Sequence, residues 1–305
     1  MEKNISKNST TSIIILTRNA GPIFHDVLTS VFDQDYSDYE VMILDSASAD
    51  STIEIARRFP VRLVNIDPGE FGHGKTRNTG ARIAQGKNLV FLTQDAIPEN
   101  RIWLKGLTSG LDDKKIAAVY GRQVARKDAV PMEKFFYKSM YGDKRVLWSC
   151  DNIKYNEIIF SNVSSAVRRD LLLENPFSET ILMSEDMEWA YRMIEKKLNI
   201  LYQPLSVVNH SHNTGPVKIF KRYFDFGVSH RQISIENKKA RFLGKGLSVF
   251  INEIKYLISN KQAIWIPRAV IYYFMKFAGL ISGKNHKYIP KALKRNLSNY
   301  RMYWK

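Results

Sequence analysis

Over the first hundred residues, short unbroken apolar runs alternate with longer segments whose apolar positions recur every three or four residues. Ser12-Ile13-Ile14-Ile15-Leu16-Thr17 reads as a strand, and Phe24, Val27, Leu28, Val31 and Phe32 share one face of a helix. Glu40-Val41-Met42-Ile43-Leu44-Asp45 predicts a second strand ending in a carboxylate. A small-residue loop from Ser46 to Ser51 follows, with Asp50 or Ser51 capping a helix through Arg58; Val61 to Ile66 is a third strand. Strands apolar on both faces and joined by helices predict a parallel sheet with right-handed crossovers.

Leu89-Val90-Phe91-Leu92-Thr93-Gln94-Asp95-Ala96-Ile97-Pro98 is the next buried strand, and Asp95 stands at its carboxyl end, with Pro98 as a stop. Asp95 has two readings: a cap for a helix over Glu99 to Leu111, or a carboxylate that holds a divalent cation where open α/β sheets bind their ligands. Ile116 to Val124 and Ile158 to Val167 read as further strands. The aromatic stretch between them, Met132 to Tyr141, suits core packing or stacking of an acceptor.

Ser184 is placed to cap a helix reaching Lys197, with Glu185 and Asp186 in its first turn. Acids there complement the helix dipole; enclosed by Ile181, Leu182, Met183 and Trp189, they are also candidates for a general base. Ile200 to Val208 is a strand that runs into His210 and His212, which are either metal ligands or ordinary loop histidines. Phe71-Gly72-His73-Gly74-Lys75-Thr76-Arg77-Asn78 opens a helix through Ala84 and combines glycines with two cations. It suits an anion site or a solvated basic face, and its spacing is not that of a P-loop.

Composition changes the picture at the C-terminus. The net charge is +16, yet Lys238 to Lys305 contains 15 Lys/Arg against one acid, Glu253, so the basicity belongs to an appendage that begins near Pro216. Within it, Ala263 to Ser282 is the most apolar window, interrupted by Pro267, Arg268 and Lys276. On a helix Arg268, Tyr272 and Lys276 form one narrow polar stripe, which suits a membrane interface or packing on the domain better than a membrane span. The tail from Lys284 mixes basic residues with Tyr288, Tyr300, Tyr303 and Trp304, as an anionic lipid surface would favour. A nucleic-acid-binding protein is the rival that charge alone suggests, but residues 1–237 carry only +2 and hold no recognised nucleic-acid motif. The single cysteine, Cys150, excludes an internal disulfide, and Met1 to Thr11 is polar, without the apolar core of a signal peptide.

Six stretches in this order and spacing resemble glycosyltransferase family 2, the inverting GT-A transferases, and within it the bacterial rhamnosyltransferases of surface-polysaccharide assembly. They are Ser12 to Asn19, Asp45 to Asp50, Phe71 to Asn78, Thr93 to Ala96, Ser184 to Asp186 and His210 to His212. The resemblance implies a GT-A domain over 12–215, an α/β fold with a mostly parallel sheet flanked by helices. A disordered N-terminus over 1–11 precedes it, and a helical, membrane-associating region over 216–305 follows. It implies that Thr17, Arg18, Asn19, Asp45, Ser46, Ser48, Arg77, Asn78 and Gln94 bind the donor nucleotide. Asp95, with His210 or His212, would hold Mg2+ or Mn2+; Thr93 stands where the usual Asp-x-Asp has its first aspartate. Asp186, beside Glu185, would be the base. The implied donor is dTDP-L-rhamnose, with a UDP-hexose or UDP-N-acetylhexosamine as the alternative. The implied acceptor is a lipid-linked glycan, met by a cytoplasmic enzyme held at the inner face of the cell membrane, with no nucleic-acid partner.

Overall fold

A computed structural model describes residues 10–151, 159–236 and 246–304. The start proposed for the strand at Ile158 and most of the expected disordered N-terminus lie outside these residues; Thr11, placed in that terminus, already belongs to the first strand.

In chain order the elements are β1 (Thr11–Thr17), α1 (Ile23–Phe32), β2 (Tyr39–Asp45), α2 (Thr52–Ala56), β3 (Arg62–Asn65), α3 (His73–Ile83) and β4 (Asn88–Thr93). Next come β5 (Ile97–Pro98), α4 (Trp103–Thr108), β6 (Ile116–Val124), α5 (Pro131–Met140), β7 (Val146–Trp148), β8 (Ser164–Arg168) and α6 (Arg169–Glu174). The chain ends with α7 (Glu185–Glu195), β9 (Asn199–Asn209), α8 (Pro216–Glu236), α9 (Gly246–Ser259), α10 (Ile266–Lys284) and α11 (Lys291–Leu297). They form two compact units. One comprises Met1–Val124, Tyr141–Glu179 and Glu185–His210; the other comprises Ala125–Met140, Thr180–Ser184 and Ser211–Lys305.

The first unit is built on one sheet in the order β3-β2-β1-β4-β8-β6-β9-β5, with β7 paired to β9. β1, β2, β3 and β4 are parallel, as the βαβ pattern predicts, and β6 is parallel to β9. β8 runs antiparallel between β4 and β6, which the apolar pattern does not reveal. Ile13, Ile15, Val41, Ile43 and Val90 pack with α1, α2 and α4 on one side. Ile14, Met42, Leu44 and Phe91 are equally buried on the other side, so these strands read as continuous apolar runs. Each such fully buried aliphatic or aromatic side chain stabilises the fold by about 1.5–3 kcal/mol.

Local departures have local causes. Ile97–Pro98 forms the edge strand β5, where proline's missing N–H is tolerated. The chain stays non-helical to Ile102, so the helix expected from Glu99 begins at Trp103, and Asp95 is not its cap. α2 ends at Ala56 rather than Arg58, and β8 begins at Ser164 after a turn at Asn162 and Val163. Ser184 has φ of +66°, not the extended backbone of a side-chain cap; the Met187 N–H is met instead by Asp186 Oδ1 at 2.8 Å.

The second unit is helical. Gly279 and Gly283 of α10 and Gly227 of α8 let two backbones approach so closely that a Cβ on Gly283 would lie 2.0 Å from the Phe224 carbonyl oxygen. The polar stripe of α10 faces inward. Arg268 Nε donates to Tyr272 Oη at 2.8 Å, and Tyr272 Oη donates to the Thr214 carbonyl. Lys276 offsets the burial that raises the carboxyl pKa values of Glu133 and Glu253. Outward lie Ile264, Ile271, Phe274 and Phe277, with Ile264 87% and Phe274 64% exposed. By length and composition alone, Ala263–Lys284 is long and apolar enough to cross a membrane. The aromatic stretch belongs to packing: Met132 and Tyr137 are buried, and Phe135 lies against Tyr256 at 5.4 Å.

Candidate active site

Strand polarity gathers the candidate residues at one edge of the first unit's sheet. β1, β2 and β4 end there in Thr17, Asp45 and Thr93, and β6 and β9 deliver Gln123 and His210 to it. Antiparallel β8 starts at that edge, so Asn162 and Val163 sit beside the end of β4, where the Thr93 N–H donates to the Val163 carbonyl.

Asp45 is 3% exposed and accepts from Thr17 Oγ1 at 2.7 Å, Ser48 Oγ at 2.6 Å and Ser48 N–H at 2.9 Å. Ser48 Oγ accepts from the Asn19 N–H, and Asn19 Oδ1 accepts from the Ala49 N–H, both at 2.8 Å. Asn19 and Ala47 hold left-handed backbones at φ +49° and +52°, and for Ala47 this costs roughly 1–2 kcal/mol. Gln94 clamps Arg18 by accepting its N–H at 2.8 Å and donating to its carbonyl at 3.3 Å. Ser46 Oγ, Thr93 Oγ1 and Asn162 Nδ2 are buried without a hydrogen-bond partner among the described residues. Such orphaned polar atoms are costly unless a ligand meets them.

The basic loop is arranged differently from an open anion cradle. Lys75 pairs with Glu70, and Arg77 forms a buried ion pair with Glu185. Asn78 uses both ends of its amide on Phe177, donating to its carbonyl at 2.9 Å and accepting its N–H at 3.0 Å. Gly74 is required by close approach: a Cβ there would lie 2.1 Å from the Ser178 carbonyl oxygen. Together these contacts seat α3 against the 177–178 segment and fix the start of α7.

Asp186 follows at the first turn of α7. Its Oδ2 accepts the Asn162 N–H at 2.9 Å, which ties it to the edge where β4 ends. Burial, and then the neighbouring charge of Glu185, push its pKa up to about 6, against the Asn162 N–H and Arg77, which lower it. His73, given no role from the sequence although it lies in the Phe-Gly-His-Gly run, faces the same charges. Burial and Arg77 push its pKa down to about 3, so the imidazole beside Asp186 is neutral. A carboxyl raised to about 6, beside a buried ion pair and a neutral imidazole, suits proton abstraction at neutral pH.

Asp95 and His210 meet at the same edge, with His210 Nε2 3.5 Å from Asp95 Oδ1. Ligands adjacent on one octahedral ion at 2.0–2.1 Å are about 3 Å apart, so this oxygen and nitrogen fit Mg2+ or Mn2+ after a small adjustment. His210 is 4% exposed, and its N–H donates to the Val124 carbonyl at 2.9 Å. His212 follows two residues later, where the second unit begins. Gln123, which had no signal in the sequence beyond its place near a strand end, and Tyr141, read there only as part of the aromatic stretch, join this cluster: Gln123 Oε1 is 3.0 Å from His210 Nδ1.

The model of glycosyl transferase family 2 matches residues 12–172, which contain Thr17, Asp45, Arg77 and Asp95. The chain belongs to glycosyl transferase family 2. It is 35% identical over 254 residues to the O-antigen chain rhamnosyltransferase RfbN of Salmonella typhimurium, and 36% identical to WbaN of Salmonella anatum, in each case over 81% of both chains. Its fold is similar to that of the mannosyltransferase PcManGT of Pyrobaculum calidifontis, solved with GDP-Man and Mn2+. That likeness has a TM-score of 0.64 at 18% identity, over 93% of this chain and 89% of that one. S. aureus TarS in complex with UDP-GlcNAc gives 0.56 at 16% identity, over 91% of each chain. The fold is thus of the GT-A type that the resemblance of the six stretches implied.

Proposed function

We propose that this glycosyltransferase moves an L-rhamnosyl group from dTDP-L-rhamnose to a hydroxyl of a lipid-linked glycan, with inversion, in surface-polysaccharide assembly. The observation that carries the chemistry is Asp186: a carboxyl raised toward neutrality, hydrogen-bonded to Asn162 at the sheet edge that bears Asp45 and Asp95. The choice of rhamnose is supported by the two O-antigen rhamnosyltransferases to which the chain is 35–36% identical.

Asp186 takes the proton of the acceptor hydroxyl as that oxygen attacks the anomeric carbon, and the nucleoside diphosphate leaves from the opposite face. Glu185 holds Arg77 beside Asp186; burial first, and then these opposite charges, govern how readily Asp186 ionises. The Asp45 cluster with Thr17, Asn19, Ser46 and Ser48 holds the nucleoside, and the Arg18–Gln94 clamp fixes the loop beside it. Asn78 and Gly74 act by seating α3. Asp95 and His210 would hold the divalent cation. When bound, that cation offsets the charge that develops on the leaving diphosphate.

The outward apolar face of α10, flanked by a basic tail, supports attachment to the anionic inner leaflet, where a lipid-linked acceptor is presented. A panel of dTDP-L-rhamnose, UDP-glucose, UDP-galactose and UDP-N-acetylglucosamine, assayed for donor hydrolysis and transfer, tests the reading. Turnover is expected with dTDP-L-rhamnose; preference for a UDP-sugar would overturn the choice of donor.

A further inference from the structure

Gln123, the penultimate residue of β6, is 4% exposed, and both ends of its amide are engaged. Its Nε2 donates to Tyr141 Oη at 2.6 Å, and its Oε1 faces His210 Nδ1 at 3.0 Å. With the Gln123 amide in this orientation its oxygen only accepts, so the hydrogen between them belongs to His210 Nδ1. In a neutral ring the other nitrogen, Nε2, then carries the lone pair, and it lies 3.5 Å from Asp95 Oδ1. Two lone-pair atoms so placed repel each other in the bare protein and are reconciled by a cation between them. The reverse tautomer would give an Nε2–H donating to Asp95 and leave the ring's lone pair on Nδ1, facing Gln123 and away from Asp95.

We propose that Gln123, oriented by Tyr141, is a positioning residue that locks His210 in the Nδ1–H tautomer and thereby turns Asp95 and His210 into a preorganised divalent-cation pair. The inference deepens the proposed function and rests on its reading of Asp95 and His210 as metal ligands. All four residues belong to the first unit: Asp95 just after β4, Gln123 near the end of β6, Tyr141 and, just after β9, His210. Tyr141 is 5% exposed and so has little freedom to leave Gln123. Fixing the ring's proton through the nitrogen remote from the metal is how second-layer contacts tune histidine ligands, and losing one typically weakens metal binding about 10–100-fold.

The test is Mn2+ titration of the full-length protein, followed by the electron paramagnetic resonance of free Mn2+, so that transfer activity is not the readout. Gln123→Leu should raise the Mn2+ dissociation constant about 10–100-fold. Gln123→Glu, whose carboxylate accepts the same Nδ1–H, should stay within a few-fold of the parent, and Tyr141→Phe should fall between the two. Nitrogen-15 spectra of the metal-free parent protein should show His210 protonated on Nδ1, a result that needs no variant to fold. Parent-like Mn2+ binding by Gln123→Leu, or a His210 ring protonated on Nε2, overturns the proposal. If Asp95→Asn and His210→Ala also bind Mn2+ like the parent, it is the ligand assignment itself that fails, and the positioning role falls with it.

Discussion

Arg77 and Glu185, 108 residues apart in the chain, form an ion pair whose side chains are 8% and 4% exposed. The pair joins α3 to the first residue of α7 and so fixes where Asp186, the next residue, can point. Removing one partner leaves an uncompensated buried charge. Arg77→Met or Glu185→Leu alone is expected to cost about 3–5 kcal/mol in urea unfolding, and the double substitution should recover much of it. Additive losses in the double variant would show that the pair is not coupled in this way.

Asp186 links stability to catalysis with opposite signs. As the base it must be ionised, so kcat/KM should fall on an acid limb near pH 6, the value set by burial and Glu185. Glu185→Gln removes the charge that raises it and should move that limb to lower pH. Asp186→Asn should reduce transfer by about 10²–10⁴-fold while donor affinity stays within a few-fold. In the folded protein the Asp186 pKa lies above its ordinary 3.8, so the cost of ionising it is present above about pH 6 and absent well below 4. The Asn variant should therefore melt no lower than the parent at pH 8 and lose that standing as the pH falls toward 4. A melting temperature well below the parent's at pH 8 would mean that the carboxylate is needed to hold the Asn162 and Met187 N–H groups.

Gly74 is predicted to be intolerant of even a methyl group. A Cβ 2.1 Å from the Ser178 carbonyl oxygen forces backbone to move, because no side chain stands there to yield. Gly74→Ala should cost about 1–3 kcal/mol and shift the seat of His73 and Arg77. Activity should fall by more than the loss of folded protein explains, as measured by unfolding and by steady-state kinetics on the folded fraction. Gly72, with only Lys75 Cβ at 3.6 Å from an added methyl, should accept alanine.

The membrane reading is best tested on the surface of α10 rather than by truncation, because α10 packs closely on α8 and its removal would unmake the second unit. Phe274→Asp together with Phe277→Asp changes two outward residues, 64% and 54% exposed. The pair should abolish sedimentation with vesicles containing anionic phosphatidylglycerol and leave the melting temperature within a few degrees. Full sedimentation of the double variant would refute the face.

The sequence by itself determined what local periodicity can encode. Apolar runs of four or five residues defined β1, β2 and β4, and the intervening helical spacing made them parallel, so Thr17, Asp45 and Asp95 had to arrive at one edge. The tertiary structure decided the rest, because pairing between distant residues leaves no periodic trace. Antiparallel β8 brings Asn162 to Asp186; Arg77, which read as part of an open basic loop, is committed to Glu185; and Gln123 reaches His210. For α10 the sequence showed a polar stripe but not its direction. Packing turned that stripe inward, where Arg268 and Tyr272 find the Thr214 carbonyl and Lys276 meets buried carboxyls, and left the apolar residues facing out. Burying a polar group is costly only when it lacks a partner, and whether distant partners exist is settled by the fold, not by the spacing along the chain.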